Sequence, residues 1–317
     1  MGNDAQALAS YDAMLKATAG NPDLQAQLQK GDLDVVQALI RSARTDEAMK
    51  MAGDMLARSR QQYGDQALRT AEIRAFMAMA EADAGKLADA LTGFRSAVPR
   101  LIERVHNDIE AEAGGMRRQQ RLVLLIERYL RLLAEMQDKR LLQADVANEA
   151  FILADEARGS SVQRALTRSA ARAAIRDPKL ADLAREEQDA QRRANALNDL
   201  LTQLLAASPD QQLPVIQAKI RADIEALREK RERLKREIST QFPDYARLVD
   251  PPAVSIEQVQ KMLKPGEVLV SWYFGGRGAQ VWAIAADGRS RFAALPTDRA
   301  AIAKDVAGLR RALNPDV

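Results

Sequence analysis

The sequence predicts a mainly α protein: helical repeats, then a long antiparallel helical hairpin, then a partial α/β domain built on a three-stranded β-meander. Three observations predict it. Small residues recur at matching places in helical segments of the first half, a heptad seam runs through 180–238, and the apolar period drops to two after Gly266. The expected units are 1–177, 178–241 and 242–317.

The repeats come from aligning small residues. TDEAMKMAGDMLARSRQQYG at 45–64 matches LADALTGFRSAVPRLIERVH at 87–106, so that Ala48 meets Ala90 at a period of 42, Ala52 meets Phe94, and Met55 meets Ala97. A third second-helix, with Ala150 and Ala154 in the small places, falls within 146–166. The clearest single unit runs from about Thr70 to Leu101. Its first helix carries Ile73, Met77, Ala78 and Ala80, and Gly85 follows as a left-handed cap. Its second carries Leu87, Ala90, Leu91, Phe94 and Ala97 on one face, with Pro99 marking a turn or late kink. The segment 106–120, with Gly114 and Gly115, reads as a loop or broken helix end, and 160–176 as a further helix.

The hairpin is read from its seam. Leu180, Leu183, Glu187, Ala190, Ala194, Leu197, Leu201 and Leu204 step by threes and fours, and so do Ile220, Ile224, Leu227, Arg231, Leu234 and Ile238. A short Pro-containing connection at 208–214 folds the two helices back on each other, and 242–252 follows as an extended linker. Ser255 then caps a short helix ending before Gly266. Strands are expected at 267–274, 279–287 and 291–296, joined by GGRG at 275–278 and by Asp287-Gly288. The first strand is apolar on both faces, as a central strand is. Trp272 and Trp282 are expected to face each other across the hairpin, and 297–313 is an amphipathic helix capped by Thr297 or Asp298.

Ala78 and Ala90 let two helices approach closely, Phe94 fills the gap, Ala97 meets the next repeat, and Gly85 separates the pair. This set resembles the tetratricopeptide repeat, with Arg74 and Glu81 standing where that family often has large aromatics. The order of parts, including ADEARGSSVQRAL, the charged hairpin, LKPGEVLVSWYF, VWAIAADG and FAALP, is similar to the N-terminal side of bacterial TPR–CHAT proteins. In those proteins a caspase-like cysteine peptidase domain follows such repeats. The resemblance spans about 45–317 and is most specific over 242–296. It implies a three-stranded opening to a caspase-like domain whose remainder, with a catalytic His and Cys, is expected elsewhere. Neither residue has a counterpart here, so architecture is carried over and activity is not.

Composition narrows the chemistry. The absence of cysteine removes disulfides, thiolate metal sites and a cysteine nucleophile. Aromatics at 4% favour helices packed through Ala and Leu over a large sheet core. A formal charge of +3 on a nearly balanced surface gives no push towards nucleic acid or anionic membrane. No apolar run approaches a membrane span and the start lacks the pattern of a secretory signal, so a cytoplasmic location is expected.

Candidate sites divide the same way. His106 beside Asp108 and Glu110 is read as a solvated histidine, since metal sites need three or four converging ligands. GGRG is read as a turn, because it lacks the Lys-Ser/Thr ending of a phosphate loop. Ser160, Ser161 and Ser169 have no base in sequence. A carboxylate enzyme built on Asp287 and Asp298 has no supporting constellation. The basic stretch 227–238 interleaves Glu229, Glu232 and Glu237, which fits a solvated coiled-coil face better than a nucleic-acid surface; binding through Arg228, Arg231 and Arg233 is the alternative function. No catalytic, cofactor or metal residue is expected. The expected function is a protein-interaction scaffold, with a protein or peptide partner held at or near Arg74, Met77 and Glu81.

Overall fold

A computed structural model describes residues 4–29, 31–107, 115–142, 146–158, 171, 175–206, 213–249, 253–276, 278–295, 297 and 299–313. The chain divides into two compact units, one of Met1–Val105, Glu112–Gly159 and Ala253–Val317, the other of His106–Ala111 and Ser160–Pro252.

The first unit opens with α1 (Asp4–Ala17), α2 (Pro22–Gln29), α3 (Leu33–Arg41), α4 (Thr45–Tyr63), α5 (Leu68–Asp83), α6 (Leu87–Asn107), α7 (Gly115–Asp138) and α8 (Ala147–Arg158). The aligned small residues form its core: Ala48, Ala52, Ala78, Ala90, Phe94, Ala97, Ala150 and Ala154 are all fully buried. The α5–α6 turn is the expected cap. Gly85 has φ +78°, and the Lys86 amide donates to the Glu81 carbonyl at 2.8 Å, closing the last turn of α5. Gly93 on α6 brings the pair closer than the two alanines alone require. A Cβ added there would lie 2.8 Å from the Ala78 Cβ.

Two expectations on this stretch are narrowed. Pro99 does not end its helix; α6 runs through it to Asn107. Proline removes one helical hydrogen bond, and the burial of Ala97, Val98 and Val105 offsets that cost. The stretch expected as a broken end over 106–120 is helical at 106–107 and again from Gly115; 108–114 lies outside the described residues. The helix expected over 160–176 also falls almost wholly outside them.

After α12 (Ile256–Met262), β1 (Val268–Gly275), β2 (Gly278–Ala285) and β3 (Ser290–Leu295) form an antiparallel sheet in the order β1-β2-β3, and α13 (Arg299–Leu313) follows. Ser255 and Gln258 make a reciprocal capping box at the start of α12. The protein is thus mainly helical with a small β-meander, as the sequence predicts. The first strand, however, is an edge and not a centre. β2 holds the middle, and Val268, Val270, Trp272 and Phe274 of β1 are exposed on one face. Apolar residues on both faces reported composition correctly but not pairing order, because pairing is a non-local choice.

The register also separates the two tryptophans. Trp272 pairs with Val281, and Trp282 pairs with Ser271 and Phe292. A one-residue offset places them on opposite faces. Trp282 is fully buried, stacked on Phe292 at 5.1 Å and edge-on to Phe151 of α8 at 5.8 Å. Its Nε1 donates to the Ala147 carbonyl at 3.1 Å. Further ties hold the sheet to the helices before it: Gln137 Nε2 donates to the Phe292 carbonyl at 2.8 Å, and the Ile256 amide donates to Asn148 Oδ1 at 2.9 Å. Tyr273, Trp282, Ile284 and Phe292 share one apolar core with the helices.

The second unit contains α9 (Pro178–Ala206), α10 (Pro214–Gln241) and α11 (Pro243–Val249). The two long helices are neighbours along their length, and the seam is as read: Leu180, Ala190, Ala194, Leu201, Ile220, Ile224, Leu234 and Ile238 are buried. Pro214 opens α10 at its first turn, where a missing N–H costs nothing, and 207–212 lies outside the described residues. The expected extended linker is corrected: 243–249 is helical. Pro243 sits where its fixed φ suits a helix start, and Asp244 follows in the first turn beside Arg247.

Candidate functional site

Arg74, Met77 and Glu81 stand three and four residues apart on α5, so they share one face of that helix, and each is half-buried. The end nearest the start of α5 is positive. Arg74 Nη2 lies 3.3 Å from Asp65 Oδ1, and Arg60 Nε donates to the same oxygen at 2.9 Å. From α6, Arg100 Nη1 donates to the Asp65 backbone carbonyl at 3.3 Å. Burial lowers the Arg74 pKa, and repulsion from Arg60 and Arg100 adds to that, with Asp65 and Glu81 opposing. The other end is negative. Burial raises the Glu81 carboxyl above its ordinary value and Asp89 adds to this, while Lys86 and Arg74 pull it back. The strip is therefore bipolar, with the Met77 thioether between its charged ends. Seven residues of helix separate Arg74 from Glu81, roughly 10 Å at the usual rise. Sequence reasoning named these three residues but missed Arg60, Asp65 and Arg100, which stand on α4, in the following turn and on α6. Nothing in the spacing of the chain links them.

A second polar cluster lies where the sheet meets the helices of the same unit. The Glu127 carboxylate on α7 accepts from the Gly276 amide at 3.1 and 3.2 Å and from the Tyr273 hydroxyl at 3.2 Å. Arg158 Nη2, at the end of α8, donates to the Trp272 carbonyl at 2.6 Å and to Ser271 Oγ at 3.1 Å. Its guanidinium also lies 6.0 Å from the Tyr273 ring centre. Burial first, then Glu127, holds the Tyr273 phenol protonated well above its usual range. Gly275 allows this approach, since a Cβ there would sit 3.0 Å from the Glu127 carboxyl carbon. The arrangement seats the β1–β2 hairpin; it joins a carboxylate, a phenol, a guanidinium and the Ser271 hydroxyl.

The other expected candidates are placed as follows. The Gly275–Gly278 segment joins two strands, with Gly275 and Gly278 opposite each other, and Arg277 is outside the described residues. His106 is within α6, and its side chain is outside the description. So are Ser160, Ser161, Ser169 and Asp298. Asp287 is held below the usual carboxylate range by hydrogen bonds from Arg289, in an exposed turn. Among the described residues no group of three His, Asp or Glu side chains is set to hold a metal, and no helix is long and apolar enough to cross a membrane. On the hairpin, Arg231 pairs with Glu187 at 2.6 Å, Lys230 with Glu186 at 2.9 Å and Arg228 with Glu225 at 3.4 Å.

No protein-family model, no curated protein and no solved structure matches the chain. The likeness to TPR–CHAT proteins thus remains a resemblance carried by the motifs quoted above.

Proposed function

We propose that this chain is a protein-interaction scaffold, the helical regulatory region of a protein of the TPR–CHAT kind, and that it holds a partner peptide or protein along the α5 strip. One observation supports this most. Where a helix pair of this type usually buries aromatics, the chain keeps half-buried charges of opposite sign, Arg74 and Glu81, on either side of Met77. Partly desolvated charges weaken a fold unless they are paired; Arg74 already reaches Asp65 at 3.3 Å, and a partner with an acidic and a basic group about 10 Å apart adds to that pair and meets Glu81 as well. The peptidase chemistry of such a protein belongs to the rest of its caspase-like domain, because this chain has no cysteine to serve as nucleophile. The basic face of the hairpin fits nucleic acid less well, since several of its cations are already paired with carboxylates.

The test is selection of peptides from a random displayed library on the purified chain. Selected peptides are expected to carry opposite charges flanking an apolar residue. The double reversal Arg74→Glu with Glu81→Arg is expected to weaken them at least tenfold and to favour peptides of the reverse charge order. Peptides that bind the reversed variant unchanged would place the binding surface elsewhere and end this reading.

A further inference from the structure

Arg60, Arg74 and Arg100 come from three different helices and all reach one residue, Asp65, in the turn between α4 and α5. Three positive charges against one negative leave a surplus of two at a single point. Asp65 keeps 63% of its side chain exposed, Arg60 keeps 43% and Arg74 keeps 26%, so the cluster opens to solvent. The local backbone adds to the same sign. α5 has no acidic residue in its first turn, and its cap residue, Ala67, offers no side-chain acceptor to the amides there. Most helix starts carry a carboxylate or hydroxyl for that purpose. Here the nearest carboxylate, Asp65, is engaged by guanidiniums instead.

We infer that this turn is an oxyanion-binding site whose ligand is a phosphate monoester or equivalent dianion, with the Asp65 carboxylate holding Arg60 and Arg74, and its backbone carbonyl holding Arg100, in its absence. The charge argues for it, because a phosphate ester carries about −1.5 to −2 at neutral pH and matches the surplus. The chemistry argues for it as well. Guanidinium groups are planar forks suited to phosphate oxygens, and three of them can bind three oxygens from separate directions. The Arg74 pKa is lowered first by burial and then by repulsion from Arg60 and, more weakly, Arg100, with Asp65 opposing, which is consistent with crowded cations. The site shares Arg74 with the peptide strip but does not depend on it. A phosphate titration involves neither Met77 nor Glu81, so failure of the peptide selection leaves this inference standing, and the reverse also holds.

The experiment titrates sodium phosphate into the full 317-residue chain at constant ionic strength, followed by calorimetry and by broadening of the phosphorus NMR signal. Asp65→Asn removes the competing charge at nearly constant shape and is expected to tighten phosphate binding at least threefold. Arg74→Gln and Arg100→Gln are each expected to weaken it at least fivefold. Arg60→Gln, at the most exposed of the three, does the same without touching the core and guards against misfolding of the other two. Binding that ignores all three arginine changes, or that weakens in Asp65→Asn, overturns the inference. A short peptide with and without phosphoserine separates the sources of the ligand. At least tenfold tighter binding of the phosphopeptide than of free phosphate, with the same dependence on the arginines, marks a phosphorylated protein. Equal or weaker binding, with that dependence, marks a small phosphate compound.

Discussion

The α5–α6 pair and the α9–α10 hairpin are both antiparallel helices joined by short connections, yet they hold together by opposite means. The first pair packs backbone against backbone. Ala78 and Gly93 remove side-chain volume until the helices nearly touch, and the buried Phe94 beside them stacks on Tyr129 of α7 at 5.0 Å. The second keeps a coiled-coil seam of Leu and Ile, interrupted by one ion pair between Glu187 and Arg231, whose side chains are only 19% and 10% exposed. Close packing tolerates little added volume. A seam tolerates volume better but fixes its register through a polar pair, since sliding one helix by a heptad would strand two charges. The difference teaches that charge at an interface is local in its effect: it sets register in the hairpin, while in the repeat unit the half-buried charges of Arg74 and Glu81 stand beside the packing.

The largest effect is expected in the hairpin. Arg231→Met leaves Glu187 half-buried and unpaired. Breaking a fully buried pair typically costs 3–5 kcal/mol, and partial exposure reduces that here to about 2–3 kcal/mol. The double change Arg231→Met with Glu187→Leu is expected to recover most of the loss in denaturant unfolding, because it restores an unbroken apolar seam. A double variant as weak as the single one would show that the pair contributes more than register.

In the repeat pair the expected effect is smaller. Gly93→Ala forces a Cβ to within 2.8 Å of the Ala78 Cβ. Overpacking of this kind costs about 1–3 kcal/mol, and the better helix propensity of alanine returns about 1 kcal/mol. The net loss is expected near 1 kcal/mol, measured by urea unfolding. A gain in stability would mean that the helices separate freely and that the close approach is not what holds them.

The smallest effect concerns Glu81. Its folded-state pKa is raised above the ordinary 4.5, chiefly by burial, so the native chain binds that proton more tightly than the unfolded chain. Native stability from this group is therefore lost above the raised value and regained as pH falls through it towards 4.5. Glu81→Gln is expected to be slightly more stable than the parent at pH 7.5, with the advantage shrinking at pH 4, compared by thermal unfolding in parallel. An advantage that grows as pH falls would reverse the assignment.

Much of this architecture was legible in the chain. The 42-residue alignment found residues that are all buried, and the threes and fours of 180–238 found both hairpin helices together with the polar positions Glu187 and Arg231 on their seam. Ser255 capped the helix it was expected to cap, and Gly85 ended α5 with a positive φ. These features rest on local geometry, where neighbours in sequence are neighbours in space. What failed was of two kinds. Pro99 and Pro243 were read as interruptions, yet one lies inside a helix held by its buried face and the other starts a helix. Of the candidate site, the shared face of Arg74, Met77 and Glu81 was readable because helical spacing aligns the three residues. The arginine cluster was not, because its members are 14 and 26 residues apart in the chain.

By itself, the sequence determined the mainly helical class, the positions of the hairpin helices and the three strands, the apolar seam of the hairpin, and that no cysteine chemistry is open to the chain. Only the tertiary structure decided that β2 is the central strand, that Trp282 turns inward while Trp272 turns out, and that three guanidiniums meet at Asp65. The physical reason is the range of the interactions. Periodicity and capping act within a few residues, whereas strand order, register and charge convergence depend on which distant segments compete successfully for the same surface.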